Sequence, residues 1–243
     1  MSYHPEFELI RAYVDGTIDP CHGIMVSAHL ETCSQCRQTV QRLEAEAANE
    51  MFEAQSPAED LSLDKDPTFA NIAEEKSAPS LDLDSMLSTI VDMKQLKPTS
   101  HTEETPSVHI ELNGKKFVLP KALRNQVSRI GEWRSYGGKV YSAAIELEEN
   151  DARMNLLYIK EGVQVPQHTH KGVETTLVLH GSFSDEDGQY AEGDIMSRDA
   201  SVKHAPQTAE NQDCLCLTVL TEPMIFTQGV ARVFNLFGRG MYP

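Results

Sequence analysis

Hydrophobic and polar positions alternate in two different rhythms along this chain, and the rhythm changes near residue 107. Ahead of it the apolar residues recur at helical spacing. A first helix is expected from about His4, with Pro5 at its first position, Glu6 and Glu8 in its first turn and Gly16 at its end. Asp19-Pro20 reads as an N-cap followed by a first-turn proline, which opens a second helix through Ile24, Met25, Ala28 and His29. After Cys33, a third helix rich in Gln, Arg, Glu and Ala runs to about Ala54, where Ser56-Pro57 stops it. Residues 56–80 are acidic and contain Pro and Ser, the composition of a loop or tether. Leu83, Met86, Leu87, Ile90 and Val91 then repeat at i, i+3, i+4, i+7 and i+8, which predicts a fourth, amphipathic helix. Which apolar faces of these helices are core and which are free is not legible from the pattern.

Residues 97–107 are polar, bounded by prolines and without periodicity, and read as a linker. From Val108 short apolar runs alternate with turn residues. Val108–Leu112 and Lys116–Leu119 flank Asn113-Gly114, a strong hairpin signal. Val140–Leu147, Arg153–Ile159, Val173–His180, Ile195–Met196 and Cys214–Leu220 continue as strands. So many strands between Gly- and Asp-rich turns predict an antiparallel barrel or jelly roll. The expected organisation is therefore a helical domain over 1–96, a linker over 97–107 and an all-β domain over 108–243.

Charge sharpens the division. Of 21 basic and 37 acidic residues, 6 and 18 fall within residues 1–96, a net charge of −12 for that part against −16 for the whole. Such a surface repels phosphate backbones, so direct DNA binding is not expected, whereas a basic protein partner suits it. No run of about 18 apolar residues exists to cross a bilayer, and the N-terminal residues lack the basic and apolar regions of a signal peptide. The expected location is the cytoplasm, without membrane contact. There, five cysteines are better read as metal ligands or redox groups than as a disulfide frame.

Two clusters carry candidate chemistry. His29 and Cys33 lie four apart, one helical turn, and Cys36 completes a short C-x2-C loop. Thiolates with imidazole suit Zn2+, which closes a structural site with four ligands, so a fourth is needed. His22 lies two helical turns before His29, about 10 Å away along one axis, and Cys21 fails on the same ground. His4, brought in by packing from the preceding segment, is the better candidate. A metal would also staple a small helical lobe, because its binding energy becomes folding energy. In the second cluster, His168 and His170 at i and i+2 point to one face of a strand, Glu174 follows after a turn, and His204 must arrive from a distant strand. Three imidazoles and a carboxylate accept Zn2+ or another divalent transition metal. Cys214 and Cys216 share one strand face; they are read as small buried residues or as oxidisable thiols beside the barrel metal, too close in sequence for an easy mutual disulfide. His180 lies outside the motif, with His101 in the linker and His109 at the first hairpin.

The H-x3-C-x2-C run with an upstream histidine resembles zinc-binding anti-sigma domains. Gly162, His168, His170, Glu174 and Gly181 match every fixed position of the first cupin signature. In the second signature Gly193 and His204 keep their spacing, while Asp199, Ser201 and Thr208 replace the usual proline, glycine and asparagine. Together the two halves resemble ChrR-like zinc-binding anti-sigma factors, a zinc anti-sigma domain fused to a cupin domain. The resemblance implies sequestration of an extracytoplasmic-function sigma factor as a 1:1 complex through residues 1–96. It also implies release when the cupin domain meets singlet oxygen or organic hydroperoxides, and no catalysis. Two other readings stand beside it: a cupin metalloenzyme, dioxygenase or isomerase, with an accessory helical zinc module, and a DNA-binding repressor, which the acidic helical half disfavours.

Overall fold

The computed structural model describes residues 1–53, 82–93, 107–147, 151–229, 231, 232 and 235. The expected 56–80 tether and nearly all of the 97–107 linker lie outside the described residues. Met1–Ala47 and Ser107–Pro243 make one compact unit and Ala48–Pro106 a second.

Helix α1 spans Phe7–Val14, starting about three residues later than the pattern suggests. The cause is tertiary: the Ser2 and Tyr3 amides donate to Asp194 and the Tyr3 carbonyl accepts from Ile195, so this segment runs alongside a distant strand instead of coiling. Helix α2, Pro20–Thr32, begins as expected. Pro20 fills its first turn, and the Asp19 carboxylate accepts from the amides of Cys21 and His22 at 3.0 and 3.1 Å. Cys21, His22, Met25, Val26, Ala28 and His29 are buried along one broad face, and the other positions from Gly23 to Leu30 are half-buried. Helix α3 follows almost at once, Ser34–Glu53. In the second unit α4, Leu83–Asp92, is capped by Asp82 and leaves Met86, Leu87, Ile90 and Val91 exposed. Among the described residues, no helix is long and apolar enough to cross a membrane.

The β domain is antiparallel throughout. Strands β1 (Val108–Leu112) and β2 (Lys115–Leu119) form the expected hairpin, with Asn113 at φ 52° and Gly114 at φ 75°, the left-handed pair a tight two-residue turn demands. A 3-10 helix, Lys121–Arg129, precedes β3 (Arg134–Tyr136) and β4 (Val140–Ile145). Then come β5 (Arg153–Ile159), β6 (His168–His170), β7 (Glu174–Ser184), β8 (Gln189–Ala191), β9 (Ile195–Arg198), β10 (Cys214–Leu220) and β11 (Met224–Phe226). The main sheet runs β3-β4-β5-β10-β7-β8, with β9 on the same edge of β7 as β8, and β11 pairs β6. Strand β10 is buried at all seven positions between β5 and β7, which explains its unbroken apolar run. Gly181 allows the close approach of its neighbour: at φ 75°, a Cβ there would lie 1.9 Å from the Asp213 carbonyl oxygen. The main core joins Leu156, Leu177, Leu215 and Leu217 of the sheet to Met25 and Ala28 of α2, so that helix shares the core of the β domain.

Candidate metal centres

The start of α3, the end of α2 and the extended N-terminal segment converge on four side chains. Ligand atoms of His4, His29, Cys33 and Cys36 all lie within 4.8 Å of one another. The Cys33 and Cys36 sulfurs each sit 3.4 Å from His4 Nδ1, and Cys36 Sγ is 3.3 Å from His29 Nε2. Three of the four side chains are buried, His29 completely. The outward nitrogen of His29, Nδ1, donates to the Gly193 carbonyl oxygen at 2.8 Å, which turns the lone pair of Nε2 toward the thiols. Burial lowers the pKa of His29, keeping it in the neutral form that ligates a metal. Burial and the hydrogen bond with Cys33 push the Cys36 thiol up to about 12, so without a cation the pocket holds a protonated thiol. The donor set, two sulfurs and two imidazoles in a closed tetrad, fits a tetrahedral zinc ion. Cys21 and His22 point elsewhere: Cys21 Sγ lies 3.6 Å from the Ala152 carbonyl, and His22 bridges Asp19 and Thr175 at 2.5 and 3.2 Å.

The second cluster forms where β6, the start of β7 and the loop before β10 meet. His168, His170, Glu174 and His204 again keep their ligand atoms within 4.8 Å. Pairing of β6 with His204 through reciprocal backbone hydrogen bonds delivers the distant imidazole. His170 Nε2 lies 3.1 Å from Glu174 and 3.3 Å from His204 Nε2. Outer partners orient the rings. His168 Nδ1 donates to the Pro166 carbonyl at 2.9 Å, and His204 Nδ1 faces Asp185 at 3.3 Å. Burial lowers His168 to about 4. For Glu174, burial pushes upward, but the His170 hydrogen bond and the imidazole charges outweigh it and hold the carboxyl near 2. Neutral imidazoles with an ionised carboxylate are the ligating forms, and this mixed set fits a divalent transition metal that retains open positions.

Asp185 and Arg198 are functional candidates the sequence did not single out. Asp185 faces both His204 and Arg198, whose guanidinium also reaches Asp187 and the Tyr190 hydroxyl. The only local signal for Asp185 was its place in the turn Ser184-Asp-Glu-Asp-Gly188, which reads simply as a hairpin. His168, Glu174 and His204 line a cavity of about 560 Å3 whose walls are mostly apolar, among them Leu157, Val165, Phe183, Met224 and Phe226. Cys216 is in its lining as well. A bulge between Leu215 and Cys216 interrupts the register of β10, and the Cys214 and Cys216 sulfurs stand 3.5 Å apart as free, buried thiols. Contact with Cys214 and burial raise the Cys216 thiol. His180 is half exposed near Glu192 and Asp213, away from both clusters, and His109 is exposed beside Ser107; His101 lies outside the described residues.

Residues 130–223 match the model of the ChrR cupin-like domain family. The chain is 28% identical to the anti-sigma-E factor ChrR of Cereibacter sphaeroides, over 98% of both chains. It also superposes on a chain from the crystal structure of Rhodobacter sphaeroides SigE in complex with the anti-sigma ChrR. That match has a TM-score of 0.57 and 26% identity, and covers 90% of this chain and 98% of that one.

Proposed function

Because this chain is ChrR-like along nearly its whole length, a helical His/Cys cluster joined to a cupin domain, we propose that it is an anti-sigma factor. The carrying observation is that both clusters gather in a chain aligned over 98% of its length with a protein named an anti-sigma-E factor. In this reading residues 1–96 hold an extracytoplasmic-function sigma factor as a 1:1 complex in the cytoplasm. His4, His29, Cys33 and Cys36 bind zinc and brace the grip. The net charge of −12 over those residues favours a basic protein partner and disfavours DNA.

The barrel is the sensor, with zinc or another divalent metal on His168, His170, Glu174 and His204. The apolar cavity beside that cluster suits an organic hydroperoxide better than a hydrophilic oxidant, and singlet oxygen needs no shaped site at all. Oxidation of a ligand or of Cys214 and Cys216 then disturbs the barrel. Only a change that weakens the sigma-bound state more than the free state releases the partner. A difference of about 3 kcal/mol lowers affinity by two orders of magnitude.

The test uses the full chain co-expressed with an extracytoplasmic-function sigma factor. The pair should co-purify, and organic hydroperoxide should dissociate it. His168→Ala with His170→Ala should keep capture and abolish oxidant-driven release. Failure to capture any such sigma factor sinks the proposal; unchanged release by the double variant removes the barrel metal from sensing. One observation favours a second reading as a cupin metalloenzyme: the metal cluster opens onto a cavity of ligand size. Steady turnover of an organic substrate by the metal-loaded chain would establish it.

A further inference from the structure

We infer that the β domain supplies the outer shell of the helical His/Cys cluster, and that Gly193 and Asp194 are positioning residues for the ion held there. The inference rests on the reading of His4, His29, Cys33 and Cys36 as an ion site, and adds a second part of the chain to it. A metal-bound imidazole ordinarily gives its other N–H to a carbonyl or carboxylate, which fixes the tautomer and the ring plane. For His29 that acceptor is not in the helical segment. It is the Gly193 carbonyl, 164 residues away, in the turn between β8 and β9, and the hydrogen bond of 2.8 Å is buried.

The next residue holds the other imidazole's segment. One carboxylate oxygen of Asp194 accepts from the amides of Ser2 and Tyr3 at 2.7 and 3.2 Å, and the other from Ala191 at 3.0 Å within the turn. Ile195 donates to the Tyr3 carbonyl at 3.3 Å, and the Tyr3 ring packs on Tyr190 with centroids 4.7 Å apart. His4 follows this clamp directly. The turn is itself fixed to the sheet, since the amides of Gly193 and Val178 donate to the carbonyls of Val178 and Asp194. One turn of the β domain therefore orients the His29 ring and anchors the segment that carries His4, while both thiols come from the helical segment alone. Tyr190 and the partly buried Tyr3 also pack with Cys214, Cys216 and Met196, so the clamp rests on the same apolar cluster as the two strand thiols. By linkage, whatever loosens this turn loosens the ion, and ion binding tightens the turn by the same free energy.

Cobalt substituted into the full-length chain tests this, because a thiolate-to-cobalt absorption band can arise from the cluster with sulfur donors and not from the three-histidine, one-glutamate cluster. Asp194→Ala should speed loss of that cobalt to a chelator by about 10- to 100-fold, the usual scale of outer-shell changes, and shift the band. Tyr3→Ala, which leaves the turn intact, should speed it by about tenfold. Asp194→Asn keeps an acceptor for the two amides and should recover most of the loss. Metal content of the barrel should stay unchanged in all three. Folded variants with the wild-type off-rate and band would overturn the inference, and Tyr3→Ala alone decides if Asp194→Ala unfolds the barrel. A wild-type chain with no thiolate band would instead overturn the ion site itself.

Discussion

The two clusters use the same number of donors toward opposite ends. The helical one draws three ligands from eight consecutive residues and closes on itself with two sulfurs and two imidazoles. The barrel one spends an acidic oxygen and three imidazoles, gathers His204 from 30 residues beyond Glu174, and ends at a cavity of about 560 Å3. A soft, closed tetrad makes a brace; a harder, open set makes a site that chemistry can reach. Proximity in sequence suits the first, since three of its four ligands come from the junction of α2 and α3. Distance suits the second, since a ligand carried by a separate loop makes the site answer to the state of the whole barrel.

The largest effect that separates them is loss of a sulfur. Cys36→Ala should weaken zinc binding at the helical cluster by at least about 1,000-fold, about 4 kcal/mol, given that such four-ligand sites supply roughly 10–16 kcal/mol in all. Elemental analysis should then find the barrel metal alone, and capture of a sigma factor should fail. Retention of both metals would break the comparison.

Acid and alkali should also probe named groups of both clusters in the metal-free chain. His168 is neutral in the fold with its pKa lowered to about 4, against about 6.5 unfolded, so its neutral burial favours the fold fully above pH 6.5. That contribution is lost as pH falls from 6.5 through 4, a destabilisation of about 3 kcal/mol. Glu174, held near 2, adds stability that disappears only below its unfolded value, between about 4.5 and 2. The Cys36 thiol has the opposite sign: raised to about 12, it favours the fold below about 9 and withdraws that support as pH rises toward 12. Thermal unfolding across pH should show both flanks, with the part of the acid flank between about pH 6.5 and 4 absent from His168→Ala.

Asp185→Ala, removing the carboxylate behind His204, should lower barrel metal affinity by about 10- to 100-fold and leave the helical cluster's zinc untouched, as competition with a chelator would reveal. Smallest of all, His180→Ala should leave both metal contents unchanged and stability within about 0.5 kcal/mol, because that half-exposed ring belongs to neither cluster.

Elements whose pattern is local were legible. Arg153–Ile159 and Cys214–Leu220 emerge as strands with the expected ends, and Asn113-Gly114 turns the hairpin it advertises. Ligand types at fixed spacings made both clusters readable before any fold was known. What stayed hidden is what another part of the chain imposes. Ser2 and Tyr3 are held off the first helix by hydrogen bonds with Asp194 and Ile195, and β8 and β11, at three residues each, are too short for alternation to register. Gly193 acts through its backbone oxygen, which no side-chain pattern encodes. That α2 is half-buried or better at every position from Cys21 to Leu30 was equally invisible, since its apolar residues are not confined to one stripe.

That helix has one further implication. Met25 and Ala28 pack with Leu215, Leu217 and Leu177 of the sheet, and Cys21 reaches the Ala152 carbonyl. A second polypeptide competing for this side of α2 would first have to prise it off its seat, so measured affinity would fall short of intrinsic affinity by the fraction of molecules already undocked. Cutting the chain ahead of the barrel would strip away that seat, and a partner of that face would then bind the freed segment more tightly without any new contact.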